Sequence, residues 1–359
     1  MSDSYRQRFP AAAWPVHISY HPLPGLGWLS AKNALLTIIT LGIYSFWGKT
    51  FVRKHIWSSV VINGDPVEYT GTGGELFKGF LIVAFLILFP LYAANFAAQL
   101  LLLQSPLLGS ILLAILAFTA IFLIGAGTYY ARRYRASRTV WRGIRGAITG
   151  SPWKYAVKYF LSFLALILTL GWSHPALKTK LTGILTRETS FGSMAFAFEG
   201  SAKPLYKTFA LCWIGLIVLI ACLFGVAFWL TSQGYVGEDT GTMFGVGAVA
   251  AIYILFPIVV AFYIARQMNL HTAYTSFQGL GFDLNATAGS LIWLVLSNLF
   301  IVLFTVGIAS PFAMQRSVKY FIDRLEVSGQ TDIQAIVQSQ QALDKRGEGL
   351  AGAFDIDGF

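Results

Sequence analysis

Charged side chains are scarce in this chain, and acidic ones are the scarcer kind. Only 12% of its 359 residues are Asp, Glu, Lys or Arg, whereas 56% are hydrophobic. A soluble globular domain carries roughly 25% charged residues, so the composition excludes an ordinary soluble fold and favours a protein of the lipid bilayer. The 26 basic and 16 acidic residues give a net charge of +10. Because no nucleic-acid-binding motif accompanies this charge, we assign it to an anionic membrane surface and expect no nucleic acid partner.

Cysteine and histidine are also rare, and neither is spaced as a metal site. Cys212 and Cys222 lie in one apolar segment, about 15 Å apart along a helix, which is too far for a disulfide. The five histidines form no HExxH motif. No pair of carboxylates has a spacing that indicates a general acid and base. We therefore expect no metal, no other cofactor and no catalytic residue.

Four long runs without charge are each close to the roughly 20 residues that a helix needs to cross about 30 Å of hydrocarbon. Pro90 and Pro257 lie inside two of these runs and predict kinks. Ionisable side chains are absent from the interior of the runs, which disfavours a proton-coupled pump. The predicted spanning helices are 80–103, 107–130, 209–230 and 243–264.

Three shorter apolar segments share a Thr-Leu-Gly or Thr-Val-Gly signature. They cover residues 34–47, 159–172 and 291–312, with the signature glycines at Gly42, Gly171 and Gly307. They alternate with pairs of long runs in the order single, double, single, double, single. Such recurrence is typical of one structural unit used several times. We therefore predict an α-helical polytopic membrane protein with internal repeats, forming a single domain over residues 1–327, followed by a polar flexible tail at 328–359.

The positions of Lys and Arg leave two topologies open for the shorter segments. The loops inside the double units contain no Lys or Arg, so the positive-inside rule places them away from the cytoplasm. Seven ordinary crossings would put the connector with Lys178 and Lys180 on that same side, against the rule. If the shorter segments instead enter the membrane and return, breaking at their signature glycines, every connector and the C-terminus are cytoplasmic. The charge pattern favours this re-entrant topology, which is allowed where the irregular backbone is buried in protein.

Short alternating patterns in the connectors predict β-strands. Asn63-Gly64 between two alternating runs is a strong hairpin signal. Because a strand edge cannot face lipid, we place these hairpins in the cytoplasmic connectors and expect strands of different repeats to pair in one small sheet. The glycines around Thr72 lack the spacing of a nucleotide-binding loop, so they predict a turn that leads into a membrane helix.

Basic side chains follow several apolar segments, and two interpretations of them stay open. Juxtamembrane arginines fix the orientation of a membrane protein without binding anything. Guanidinium and ammonium groups also bind phosphate, so these residues are candidates for contact with lipid headgroups or other anions. The candidates are Arg53, Lys54, Arg132, Arg133, Arg135, Arg138, Arg316 and Lys319.

Two of these blocks resemble a known family. The segment LLTIITLGIYSFW at 35–47, followed by Val52-Arg53-Lys54 and by YTGTGGELFKGF at 69–80, is similar to the most recognisable block of the YjgN-like family of bacterial inner-membrane proteins. The segment TVGIASPFAMQR at 305–316 resembles its C-terminal counterpart. The resemblance implies a multi-pass protein of the bacterial inner membrane, and it brings no known reaction, substrate or catalytic residue.

These features favour a non-enzymatic helical bundle that associates with membrane phospholipids, chiefly those of the anionic cytoplasmic leaflet. A passive channel or transporter for a small or lipidic solute is the first alternative, because repeats and kinked spans are common in transporters. An enzyme acting on lipid headgroups is the weaker alternative, motivated by the arginines and His174. The sequence carries no signal that distinguishes a monomer from a homo-oligomer.

Overall fold

The computed structural model describes residues 15–234, 238–331 and 336, and within the helix that begins at Glu238 it leaves out the side chains of 238–246 and 248–254. The described residues are mostly helical. The helices are α1 (Leu26–Ile39), α2 (Ser45–Trp57), α3 (Gly73–Val83), α4 (Phe89–Gln104), α5 (Pro106–Arg138), α6 (Pro152–Leu168), α7 (His174–Glu188), α8 (Lys203–Ser232), α9 (Glu238–Ala273), α10 (Ala288–Phe304) and α11 (Ser310–Ile322).

Three long helices confirm the first three apolar runs. A π-helical turn at Ala84–Leu88 joins α3 and α4 into one continuous helix, Gly73–Gln104, and α5 and α8 are the other two. In the most apolar 18-residue window of each, only 6% of the residues are buried, so the apolar side chains face outward, as lipid requires. The fourth run, 243–264, lies within the 36-residue helix α9, where many side chains fall outside the described residues.

The predicted kink at Pro90 takes the form of that π-helical turn. Proline lacks the N–H of a regular helix and crowds the preceding turn, and the wider turn accommodates both effects. An apolar groove of about 310 Å³ runs beside it, lined by side chains that include Leu86, Pro90 and Leu123. The groove opens to the outside of the helix pair that α4 forms with α5.

Short antiparallel strands fill the connectors between the helices. They run in chain order through three neighbouring sheets, of orders β1-β2-β3, β4-β5-β6-β7-β8 and β12-β11-β10-β9. The strands are β1 (Ile18–Tyr20), β2 (Val60–Ile62), β3 (Asp65–Pro66), β4 (Glu68–Tyr69), β5 (Thr139–Trp141), β6 (Ile144–Ile148), β7 (Thr189–Phe191), β8 (Met194–Ala195), β9 (Ala197–Phe198), β10 (Thr275–Phe277), β11 (Leu280–Leu284) and β12 (Leu325–Ser328).

The hairpin prediction at Asn63-Gly64 is confirmed, because both residues have positive φ, 49° and 89°, between the paired strands β2 and β3. Strands of different connectors also pair, as Gly146 does with Phe191. The expected single sheet is instead three sheets. Only one residue, Val67, separates β3 from β4, and only Phe196 separates β8 from β9, so a local break in pairing divides what is otherwise a continuous order.

The predicted boundary at residue 327 falls inside β12. Beyond it, Ile336 is buried and packs in one cluster with Phe277 and Leu280. Folded structure therefore continues past the boundary, and most of the predicted tail lies outside the described residues.

Gly73 marks a close approach between the first two units. A Cβ at this position would lie 2.6 Å from the backbone Cα of Trp47, whereas a Cβ at neighbouring Gly74 meets nothing within 4 Å. We expect Gly73→Ala to lower the free energy of unfolding by about 1–3 kcal/mol, because the two backbones must move apart. Gly74→Ala is the matched control and should leave stability unchanged or slightly raised. Thermal unfolding of both variants in the same detergent checks this, and equal melting temperatures would contradict the close contact.

Candidate functional site

Each signature segment forms a helical hairpin. The pairs α1–α2, α6–α7 and α10–α11 pack against each other on either side of the turns 40–44, 169–173 and 305–309. In all three turns the residue before the glycine has positive φ: 51° at Leu41, 48° at Leu170 and 49° at Val306. The glycines follow at 93°, 88° and 83°. The three turns therefore have the same backbone conformation, and in each the chain leaves the first helix at the signature glycine.

The threonine of each signature closes its turn by hydrogen bonding in both directions. Thr40 Oγ1 donates to the carbonyl of Leu36 at 2.7 Å and accepts from the backbone N–H of Tyr44 at 2.9 Å. Thr169 and Thr305 make the equivalent pairs of bonds, at 2.8 and 3.1 Å and at 2.6 and 3.1 Å. The hydroxyl thus takes the place of a backbone acceptor for a donor that the turn would otherwise leave free.

The remaining backbone donors of these turns are also bonded. The N–H of Gly42 reaches the carbonyl of Thr37, five residues back, at 2.8 Å, and those of Leu41, Ile43 and Ser45 reach carbonyls within the same turn. The turns at 169–173 and 305–309 repeat this pattern. Backbone in hydrocarbon must satisfy its polar groups internally, because no water is present to do so. These turns meet that requirement for every backbone N–H.

The tip of each hairpin is bulky, apolar and outward-facing. Leu41, Leu170 and Val306 are 94%, 80% and 89% exposed. Left-handed backbone costs a non-glycine residue roughly 1–2 kcal/mol, and most of all a β-branched one such as valine. In a water-exposed loop, glycine or asparagine avoids that cost and a large apolar side chain gains nothing. An apolar environment, by contrast, stabilises all three tips.

The predicted anion-contact residues fall into two groups. Arg53 and Arg138 are buried, at 7% and 8% exposure, and Arg138 forms an ion pair with Glu75 at 3.0 Å. Helix α5 ends at Arg138, so Arg142 lies in the β5–β6 turn and does not extend a basic helix face. The others are exposed or half-buried: Lys54, Arg132, Arg133, Arg135, Arg316 and Lys319. The surface-accessible candidates are therefore fewer than the sequence suggests.

Two glutamates, which the sequence places only among neighbouring lysines, have long-range partners. Glu75 accepts from Tyr134 OH at 3.3 Å besides its ion pair with Arg138. Glu188 accepts from Tyr129 OH at 2.7 Å. Thr72 and Glu75 also form a capping box at the start of α3, a local signal that the pattern Thr-x-x-Glu contains. Spacing alone does not indicate the tyrosine partners, because they lie 59 residues away in each case.

Within the described part of the chain, no three His, Cys, Asp or Glu side chains are grouped so as to hold a metal ion. The apolar hairpins and the basic side chains at their bases are thus the features that a function has to explain.

Comparison with known proteins places these features in a family. The family described as "Bacterial protein of unknown function (DUF898)" matches residues 28–353. Inner membrane protein YjgN of Salmonella typhimurium (strain LT2) is 23% identical over 354 residues, covering 87% of this chain and 88% of that protein. Inner membrane protein YjgN of Escherichia coli O157:H7 is 30% identical over 139 residues, 39% of this chain and 32% of that protein. No solved structure matches. The chain therefore belongs to the DUF898 family, and is a bacterial inner membrane protein with apolar helices able to span the membrane.

Proposed function

We propose that this protein is a non-enzymatic, lipid-associated helical bundle in which three re-entrant hairpins alternate with pairs of spanning helices. The hairpins α1–α2, α6–α7 and α10–α11 enter the hydrocarbon from the cytoplasmic side and return to it. The observation that carries this proposal is the common turn, whose backbone donors are all bonded and whose exposed tip residue is Leu or Val in all three cases.

Helix lengths support entry without crossing. Helix α1 has 14 residues and is about 21 Å long, and α6 and α10 have 17 residues each and are about 25 Å long. Each is shorter than the roughly 30 Å of the hydrocarbon core. Moving a Leu or Val side chain from water into lipid contributes about 1.5–3 kcal/mol, so three tips supply a substantial driving force for insertion.

The bases of the first and last hairpins carry matching lysines. Lys54 lies nine residues after the start of α2 at Ser45, and Lys319 nine residues after the start of α11 at Ser310. Both side chains are exposed. With the tips in hydrocarbon, these lysines lie at headgroup level, where each Lys or Arg near an anionic leaflet contributes about 1 kcal/mol. Anionic phospholipids of the cytoplasmic leaflet are the partners that this arrangement fits, and the C-terminus is cytoplasmic in the same topology.

Depth measurements on the tips test the proposal. Spin labels on Leu41→Cys, Leu170→Cys and Val306→Cys, in a Cys212→Ala/Cys222→Ala background and in nanodiscs, should collide with oxygen and be shielded from a water-soluble nickel complex. A label on Gln278→Cys is the matched control, because Gln278 has φ 46° in the β10–β11 turn of a connector sheet. The proposal fails if the tip labels meet the nickel complex as readily as the control label does.

A further inference from the structure

Two hydrogen bonds join α7 to α9 at different heights. His174 Nδ1 lies 3.1 Å from Tyr263 OH, and Thr179 Oγ1 lies 3.1 Å from His271 Nε2. Gln267 lies midway between the two α9 partners, four residues from each, and so on the same helix face. It is 8% exposed, and its side-chain NH₂ has no hydrogen-bond partner among the described residues. A buried donor without an acceptor is costly, and it is expected where a ligand supplies the acceptor.

Positive groups converge on this interface. Burial, and then the neighbouring Arg132, lower the pKa of Lys178. Burial, and then Lys178, lower the pKa of His271 to about 4, which leaves that imidazole neutral at pH 7. His174 is also affected by Lys178. Lys178 is therefore close enough to act on Arg132 in α5 and on both histidines of the α7–α9 interface.

No acidic side chain of the described residues forms an ion pair with Lys178 or Arg132. The carboxylate on this side of the molecule, Glu188, accepts a hydrogen bond from Tyr129 instead. Like charges that are partly withdrawn from water repel each other strongly unless an anion lies between them. At the level of a membrane, ionisable groups in such a position mark a binding site or a pathway.

We infer that Lys178, Arg132 and the side-chain amide of Gln267 bind one phosphate-type anion between α5, α7 and α9. The inference rests on the proposed membrane insertion, which places this cluster below the α6–α7 tip and near the headgroup level. A guanidinium and an ammonium supply charge-assisted hydrogen bonds to phosphate oxygens, and the amide supplies a neutral donor. The phosphate belongs either to a phospholipid headgroup or to a small soluble anion, since both present the same oxygens.

Binding to the full-length protein in a neutral detergent tests the inference. The probes are dihexanoyl phosphatidylglycerol and inorganic phosphate, measured by isothermal titration calorimetry. We expect Lys178→Gln to weaken binding of phosphatidylglycerol at least tenfold. Lys180→Gln is the matched control, because Lys180 is an exposed lysine of the same helix, and it should change the affinity less than twofold. Binding of phosphatidylglycerol alone assigns the lipid source, binding of both probes assigns the shared phosphate group, and binding of neither overturns the inference.

Thermal unfolding separates a binding role from a structural one. In phosphate-free buffer, Lys178→Gln should unfold at the same or a higher temperature than wild type, because it removes repulsion from Arg132. A lower unfolding temperature together with unchanged affinity would overturn the inference. If Lys178→Gln does not fold, Gln267→Glu provides the second variant. Its carboxylate supplies an internal anion, so it should raise the unfolding temperature and abolish binding of both probes, and retained binding would again overturn the site.

The anion test does not depend on membrane depth, so the two proposals fail separately. Water-accessible tips combined with binding that requires Lys178 would contradict only the re-entrant hairpins. Shielded tips combined with equal binding by wild type and Lys178→Gln would contradict only the anion site.

Discussion

Replacing Thr305 by valine should lower the free energy of unfolding in a bilayer by about 2–3 kcal/mol. Valine keeps the size and branching of threonine but removes the oxygen that accepts from the N–H of Ala309 at 3.1 Å and donates to the carbonyl of Ile301 at 2.6 Å. The N–H of Ala309 then has no acceptor in the turn, and hydrocarbon offers no water to replace it. Reversible unfolding of the protein in bicelles by steric trapping measures the difference.

Two matched variants isolate the cause of that loss. Thr305→Ser keeps the hydroxyl and should cost less than about 1 kcal/mol. Thr119→Val removes a hydroxyl from an exposed position of α5, where the side chain donates back to the carbonyl of Ile115 as an extra bond to an already helical backbone. It should be close to neutral. If Thr119→Val and Thr305→Val destabilise equally, the turn does not depend on its threonine.

Placing an acid at a hairpin tip should have the largest effect of any single exposed substitution. For Leu170→Asp we expect a loss of about 3 kcal/mol, because an acidic side chain within the hydrocarbon costs about 2.5–3.5 kcal/mol. Leu170 is 80% exposed, so the loss does not arise from a contact inside the protein. The same unfolding measurement in bicelles checks it.

The control for the tip variant shares its backbone conformation. Gln278 has φ 46°, close to the 48° of Leu170, but lies in the β10–β11 turn. Gln278→Asp should change stability by less than about 0.5 kcal/mol, since an exposed acidic residue in water has no desolvation cost. A Leu170→Asp variant as stable as Gln278→Asp would show that the tip is in water.

The spanning helices could be predicted from the sequence because a crossing helix needs a continuous apolar run, and hydropathy measures that property directly. The helix–turn–helix structure of the shorter segments is less visible. Residues 34–47 appear as one segment, yet α1 ends at Ile39 and α2 begins at Ser45. A turn that lies in lipid is as apolar as the helices beside it, so hydropathy does not detect it. The glycine and the charge pattern together do indicate a break.

The polar contacts follow a similar division. The capping box at Thr72 and Glu75 is local and can be found by its spacing. The ion pair of Glu75 with Arg138 and the coupling of Lys178 to Arg132 join distant parts of the chain. Neither has a pattern in the sequence, because the close approach of α5 to α3 and α7 creates it. The same packing buries Arg138 and removes it from the surface that its position beside a membrane span suggests.

The side of the membrane on which Lys180 lies tests the re-entrant topology most directly. We would place Lys180→Cys in a protein whose Cys212 and Cys222 are replaced by alanine, and label it with a membrane-impermeant maleimide in vesicles of each orientation. Gln104→Cys, at the end of α4, is the reference for the opposite side. The re-entrant hairpins predict that Lys180→Cys is labelled only from the cytoplasmic face and Gln104→Cys only from the other face. Labelling of Lys180→Cys only from the face that labels Gln104→Cys would show that the hairpins cross the membrane, and would contradict the account.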